Sequence, residues 1–152
     1  MKPLFLGVGN LHRADDGVGP LLAERLAQDA ELAQIAEIMP HSGEGASLMH
    51  LWEGRERVIV VDAMKSGQPL GTIHRFDAIA QTLSYGVFRY SSHLFGLAEA
   101  TEMSRALDML PAEMIIYGIE GSEYTFAADM SDEVAQSLKK VEADVRADIL
   151  RD

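Results

Sequence analysis

The run Arg57-Val58-Ile59-Val60-Val61-Asp62 sets four consecutive β-branched residues side by side. Branching at Cβ favours extended backbone, and side chains on a strand alternate between its two faces. A strand apolar at every position is therefore buried on both faces, as a central strand of a parallel sheet is. The segment ends in a carboxylate, Asp62, where such a strand leaves its sheet.

The rest of the chain repeats this grammar. Leu4-Phe5-Leu6-Gly7-Val8 reads as a second buried strand closed by glycines, and the helix after it has Pro20 in its first turn and a stripe of Val18, Leu21, Leu22 and Leu26. Ala36 to Met39 forms a weaker strand that runs into the loop His41-Ser42-Gly43-Glu44-Gly45, and a short helix covers Ala46 to Trp52. After the turn Gly67-Gln68-Pro69-Leu70-Gly71, the segment Thr72 to Phe76 alternates as a half-exposed strand does. A long helix is predicted from Ser92 to Leu110, with Ser91 or Ser92 as N-cap, His93 in the first turn and Pro111 just past the end. Met114 to Ile119 is another buried strand, and Ser131 opens a final helix with Val134, Leu138, Val141, Val145 and Ile149 as its stripe.

Strands alternating with helices in this order predict an α/β fold. The expected form is a three-layer α/β/α sandwich around a mostly parallel twisted sheet of about five strands, one of them antiparallel, with right-handed crossovers. The 152 residues make a single domain, 1–152. Ligands of such sheets collect at the carboxyl ends of the strands.

Charge narrows the partners. The net charge is −11 and the 13 Lys and Arg residues are scattered, so no basic footprint for nucleic acid or anionic lipid exists. With 0 cysteines there is no disulfide framework, thiolate nucleophile or Cys-based metal site. No apolar stretch reaches membrane-spanning length, and the expectation is a soluble protein with no membrane partner.

Three side chains stand where an α/β chain leaves its sheet: Asp16, inside the dense run Gly7 to Gly19, then Asp62 and His93. Two carboxylates and an imidazole on separate elements make an open oxygen, oxygen, nitrogen set suited to a borderline ion such as nickel, zinc or iron. A helix N-terminus would hold the His93 ring neutral, as a ligand must be. Each residue also has a plainer reading. His93 can cap its helix, Asp62 can brace a turn, and Asp15 and Asp16 can be loop charges or caps. His12, His50 and His74 carry no evident role. The Gly7-x-Gly9 pair has His12 where a dinucleotide fingerprint needs glycine, and neither a Walker A lysine nor a Gly-x-Ser-x-Gly elbow is present.

Taken together, Gly7-Val8-Gly9-Asn10, Asp15-Asp16-Gly17-Val18-Gly19, Val60-Val61-Asp62-Ala63, Ser92-His93-Leu94-Phe95-Gly96-Leu97 and the late Gly118-Ile119-Glu120-Gly121 resemble the nickel–iron hydrogenase maturation endopeptidases over nearly the whole chain. The resemblance implies an α/β/α fold and a cytoplasmic, monomeric peptidase. Its substrate would be the precursor of the hydrogenase large subunit, trimmed of a C-terminal extension after nickel insertion. Asp16, Asp62 and His93 match the family's metal-contacting positions and would be both its catalytic and its metal residues. The nickel would arrive with the substrate, so the enzyme would need no resident metal, and Asp16 would be the general base. The loop after the second strand departs from the pattern common in the family, reading Pro40-His41-Ser42-Gly43-Glu44-Gly45. His41, Gly43 and Glu44 are candidates for substrate recognition there. Two other classes fit the same residues: a hydrolase with its own tightly held metal, and a non-enzymatic maturation chaperone.

Overall fold

In the computed structural model, which describes residues 1–84, 86–88 and 93–152, a single five-stranded sheet runs in the order β2-β1-β3-β5-β4. The strands are β1 (Leu4–Val8), β2 (Glu37–His41), β3 (Arg57–Met64), β4 (Ile73–Asp77) and β5 (Glu113–Glu120). Every pairing is parallel except that of β4 with β5, so the half-exposed alternating segment is the antiparallel edge strand.

Helices α1 (Val18–Ala27), α2 (Ala30–Ile35), α3 (Gly45–Trp52), α4 (Leu97–Ala106) and α5 (Asp132–Leu150) complete the chain. Alternation along the strands sorts the core into two apolar layers. Phe5, Ile59, Val61 and Tyr117 pack with Val18, Leu22, Val134 and Val141 of α1 and α5. Leu4, Leu6, Val58, Val60 and Ile116 pack with Leu48, Trp52 and Leu97 of α3 and α4. Trp52, fully buried, satisfies its indole N–H on Ser104 Oγ at 3.0 Å. This is the expected α/β/α sandwich.

Three details differ from expectation. β3 runs on through Asp62 to Met64, because β5 continues to pair with it as far as Met64 opposite Glu120; Asp62 is thus inside a strand rather than at its end. The helix expected from Ser92 begins only at Leu97, where Gly96 is extended and its N–H donates to Glu99 Oε1 at 3.0 Å, and it ends before Asp108, whose φ is +56°. The expected caps Ser91 and Ser92 lie outside the described residues. His93 therefore precedes the helix, and the macrodipole argument for its neutrality does not apply. Helix α2, capped by Asp29, which accepts from the Glu31 and Leu32 N–H groups, was not anticipated; its six residues are too few to show a period.

Candidate functional site

β1 has β2 on one side and β3 on the other, reached by crossovers over opposite faces of the sheet. The carboxyl ends of β1 and β3 are consequently the switch point, where the chain's own connections leave a crevice. Pairing between β1 and β3 stops at Gly7 opposite Val61, one residue before Asp62.

The loop from β1 into α1 closes tightly over this crevice, and glycines allow it. Gly9 has φ +140°, and a Cβ there would stand 2.0 Å from the Asp16 carbonyl oxygen. A Cβ on Gly7 would meet the Gly19 carbonyl oxygen at 2.1 Å, so the helix start packs directly on the strand. The Asn10 N–H donates to Asp16 Oδ2 at 3.0 Å and to the Asp16 carbonyl at 3.1 Å. Asp15 and Asp16 sit in one 3-10 turn but in opposite situations. Asp15, fully buried, accepts from the N–H groups of Ser122 and Glu123, both at 2.9 Å, and from the N–H and hydroxyl of Ser131, both at 2.7 Å. Burial pushes its pKa up, yet these donors outweigh it and hold the carboxyl below the usual range. Asp15 is a latch from the β1–α1 loop to the β5–α5 loop.

Asp16 has less support. Burial raises its pKa to about 6, against the opposing pull of the Asn10 N–H and the Arg13 charge. Asp62, 4% exposed, is driven well above the ordinary carboxylate range by burial and then by the negative charge of Asp16, with only the Ala63 backbone opposing. The two buried carboxyls thus both hold their protons more tightly than free ones do, and the charge of one works against ionisation of the other.

A cavity of about 510 Å³ opens over Asp16, with Asn10, Arg13, Glu24, His41 and His93 among its walls. The structure thus brings Asp16 and His93 to one cavity with Asp62 buried against Asp16. Among the described residues, however, no three His, Asp or Glu side chains stand close enough together to hold one metal ion.

The 40s loop is built by its own polar side chains. His41 Nδ1 accepts from the Gly43 N–H at 2.9 Å, which leaves the ring proton on Nε2, 2.8 Å from Ser47 Oγ. Burial holds the His41 pKa down against the charge of Glu44, with a smaller push in the same downward direction from His93. Glu44 caps α3 by accepting from the Ala46 and Ser47 N–H groups at 2.9 and 2.8 Å. Gly43 turns the chain at φ +94°, and Gly45 admits the Phe95 ring, which a Cβ would meet at 2.0 Å. Of the three recognition candidates, only His41 is in the cavity wall; Gly43 and Glu44 shape the loop.

Asn10, Leu11, Arg13 and Glu24 also line the cavity. Arg13, whose Nε donates to the Tyr124 carbonyl at 3.2 Å, was the readable one, as the lone cation within the glycine-rich run. Glu24 sits four residues beyond Pro20 on α1, and its sequence spacing alone gives no sign of a role.

Comparison with known proteins agrees with this architecture. A model of the hydrogenase maturation protease family, HycI, matches residues 20–147, a span that includes Asp62 and His93. The chain belongs to the hydrogenase maturation protease family. It is similar to the hydrogenase expression/formation protein HoxM of Cupriavidus necator, with 24% identity over 96% of this chain and 72% of that protein. It is also similar to HupD of Thiocapsa roseopersicina, with 26% identity over 79% of this chain; the match spans only 54% of that relative's length. The hydrogenase maturating endopeptidase HybD from E. coli superposes with a TM-score of 0.78 at 21% identity, covering 98% of this chain and 92% of that one, and so shares the fold. Among the described residues, no helix is long and apolar enough to cross a membrane.

Proposed function

We propose that this protein is the endopeptidase that removes the C-terminal extension of a nickel–iron hydrogenase large-subunit precursor, and that it reads the substrate's nickel through Asp16, Asp62 and His93. Family membership supports the reaction class. The observation that carries the site is the buried pair Asp16 and Asp62, both held above the ordinary carboxylate range, beside a cavity that Asp16 and His93 line.

A divalent ion brought by the substrate would neutralise the two carboxylates and displace the protons their burial favours, turning an electrostatic cost into binding. His93 lies outside any helix, between the 80s segment and α4, and must shift to complete the ligand set. Asp16, the member of the pair that lines the cavity, is the general base, placed to take a proton from water polarised near the nickel. The substrate supplies the metal, and the protease supplies the acidic pair, the imidazole and the cavity that aligns the peptide. We place the reaction in the cytoplasm with the enzyme acting as a monomer.

The test is a mass measurement of nickel-loaded precursor incubated with the protein and with Asp16→Ala, Asp62→Ala and His93→Ala. The wild type is expected to shorten the precursor, and each variant to do so at least about 10³-fold more slowly while remaining folded. Normal trimming by all three variants overturns the site. Tightly bound stoichiometric metal in protein purified without added metal supports the resident-metal hydrolase instead, and binding without cleavage supports the chaperone.

A further inference from the structure

The charged side chains around the cavity are engaged, with one exception. Arg13 is held by the Tyr124 carbonyl and sits close enough to Asp16 to pull on its proton. Asp16 accepts from the Asn10 N–H, His41 spends both ring nitrogens on its own loop, and His93 faces His41 and Glu44. Glu24 lines the same cavity from α1 with no ion pair or hydrogen bond among the described residues. It shares a helix face with Pro20, four residues earlier, which also lines the cavity. The next residue, Arg25, points away and pairs with Glu142 of α5 at 2.7 Å, so it offers Glu24 no compensation. Across the opening Leu11, 45% exposed, presents an apolar side chain to the same space.

We infer that Glu24 selects the substrate segment by pairing with a basic side chain, Lys or Arg, that enters the cavity while an apolar neighbour rests on Leu11. This rests on the endopeptidase reading and names the substrate feature it recognises. Glu24 is exposed, but it stands on a helix at the cavity wall, and that fixed backbone lets it pair with a cation at less entropic cost than a carboxylate on a flexible loop. The net charge of −11 attracts a basic segment toward the same opening. Glu24 does not touch the reacting atoms; it is a specificity determinant.

The experiment measures trimming of the nickel-loaded precursor by wild type, Glu24→Gln and Glu24→Lys, against a set of precursors in which each Lys or Arg near the C-terminal cleavage region is replaced singly by Glu. Glu24→Gln is expected to raise KM about tenfold with kcat little changed, and Glu24→Lys to raise it further. One of the substituted precursors should be cut poorly by wild type and be rescued by Glu24→Lys. Unchanged KM in both variants overturns the inference, and so does a raised KM that no substituted precursor rescues. If wild type leaves the native precursor whole, the endopeptidase reading falls by itself. The Glu24 pairing is then decided by affinity, measured by titration of the same precursors into wild type and Glu24→Lys, with rescue again supporting it and its absence overturning it.

Discussion

Two groups of buried carboxylates sit on the same sheet and are treated in opposite ways. Between β5 and α5, Asp148 is almost fully buried but receives Arg75 Nη2 at 2.9 Å, Arg75 Nε at 3.2 Å and the Tyr117 hydroxyl. Burial pushes its pKa up, the guanidinium and phenol more than offset that, and the carboxyl stays below its usual range. At the carboxyl ends of β1 and β3, Asp16 and Asp62 are buried as deeply and have no comparable donors. The fold knows how to neutralise an interior charge and has not done so at the cavity. A charge left with so little compensation beside an opening is what the proposed function turns on.

The contrast is sharpest between neighbours in the chain. Asp15→Ala should cost about 4 kcal/mol, because the Ser122, Glu123 and Ser131 donors lose a buried acceptor; urea unfolding at pH 7 measures it. A cost under about 1 kcal/mol would mean that the latch carries no strain of the loop. Asp16→Asn should go the other way and stabilise the metal-free protein by about 2 kcal/mol at pH 7.5.

The sign of that gain follows from proton linkage. The folded pKa of Asp16, about 6, lies above its ordinary 3.8, so the folded state binds the proton more tightly than the unfolded chain does. Its contribution favours folding at low pH and is lost as pH climbs from about 4 through about 6. The difference between variant and wild type should accordingly be large above pH 6 and vanish below pH 4, by thermal melts across that range; a difference that does not depend on pH rejects the uncompensated-charge account.

Next in size, nickel should compete with protons for the two carboxyls. The affinity of the protein for Ni²⁺ alone should fall about tenfold between pH 7.5 and pH 5.5 by calorimetry, and be lost in Asp62→Ala. The smallest effect is expected on the compensated side. Arg75 is nearly half exposed, so Arg75→Gln should cost only about 1 kcal/mol, read as a modest drop in the urea midpoint, with the Tyr117 hydroxyl still holding Asp148.

Sequence reasoning reached the sandwich because its signals are periodic. The β-branched run at Val58 to Val61 and the stripe from Val134 to Ile149 each fix a face by side-chain alternation alone. Boundaries were harder. The start of α4 depends on an extended Gly96 and a hydrogen bond from its N–H to Glu99, and the end of β3 depends on how far β5 pairs with it; neither is written in either segment by itself. Asp16 was legible as a residue of the loop that leaves β1, whereas Asp62 lies within β3 and His93 in the segment before α4, because the extra pairing with β5 and the late start of α4 are set by tertiary partners. The division of labour between Asp15 and Asp16 was not legible, since it rests on donors more than a hundred positions away. Glu44 stands out in the sequence because its loop corresponds to one that the family resemblance links with substrate recognition; its part in capping α3, with both oxygens on the Ala46 and Ser47 N–H groups, depends on where that helix starts. Glu24 was hidden for the reverse reason, because an acid in the middle of an amphipathic helix reads as ordinary solvent-facing charge.

The latch at Asp15 has one consequence for the life of the molecule. Its partners at Ser122, Glu123 and Ser131 leave the ribosome long after the loop they secure. During synthesis, the segments of β1 to β3 are complete while Asp15 still lacks the partners that fix its loop. The β1–α1 loop therefore takes its final form only once the β5–α5 loop has been made, near the completion of the polypeptide.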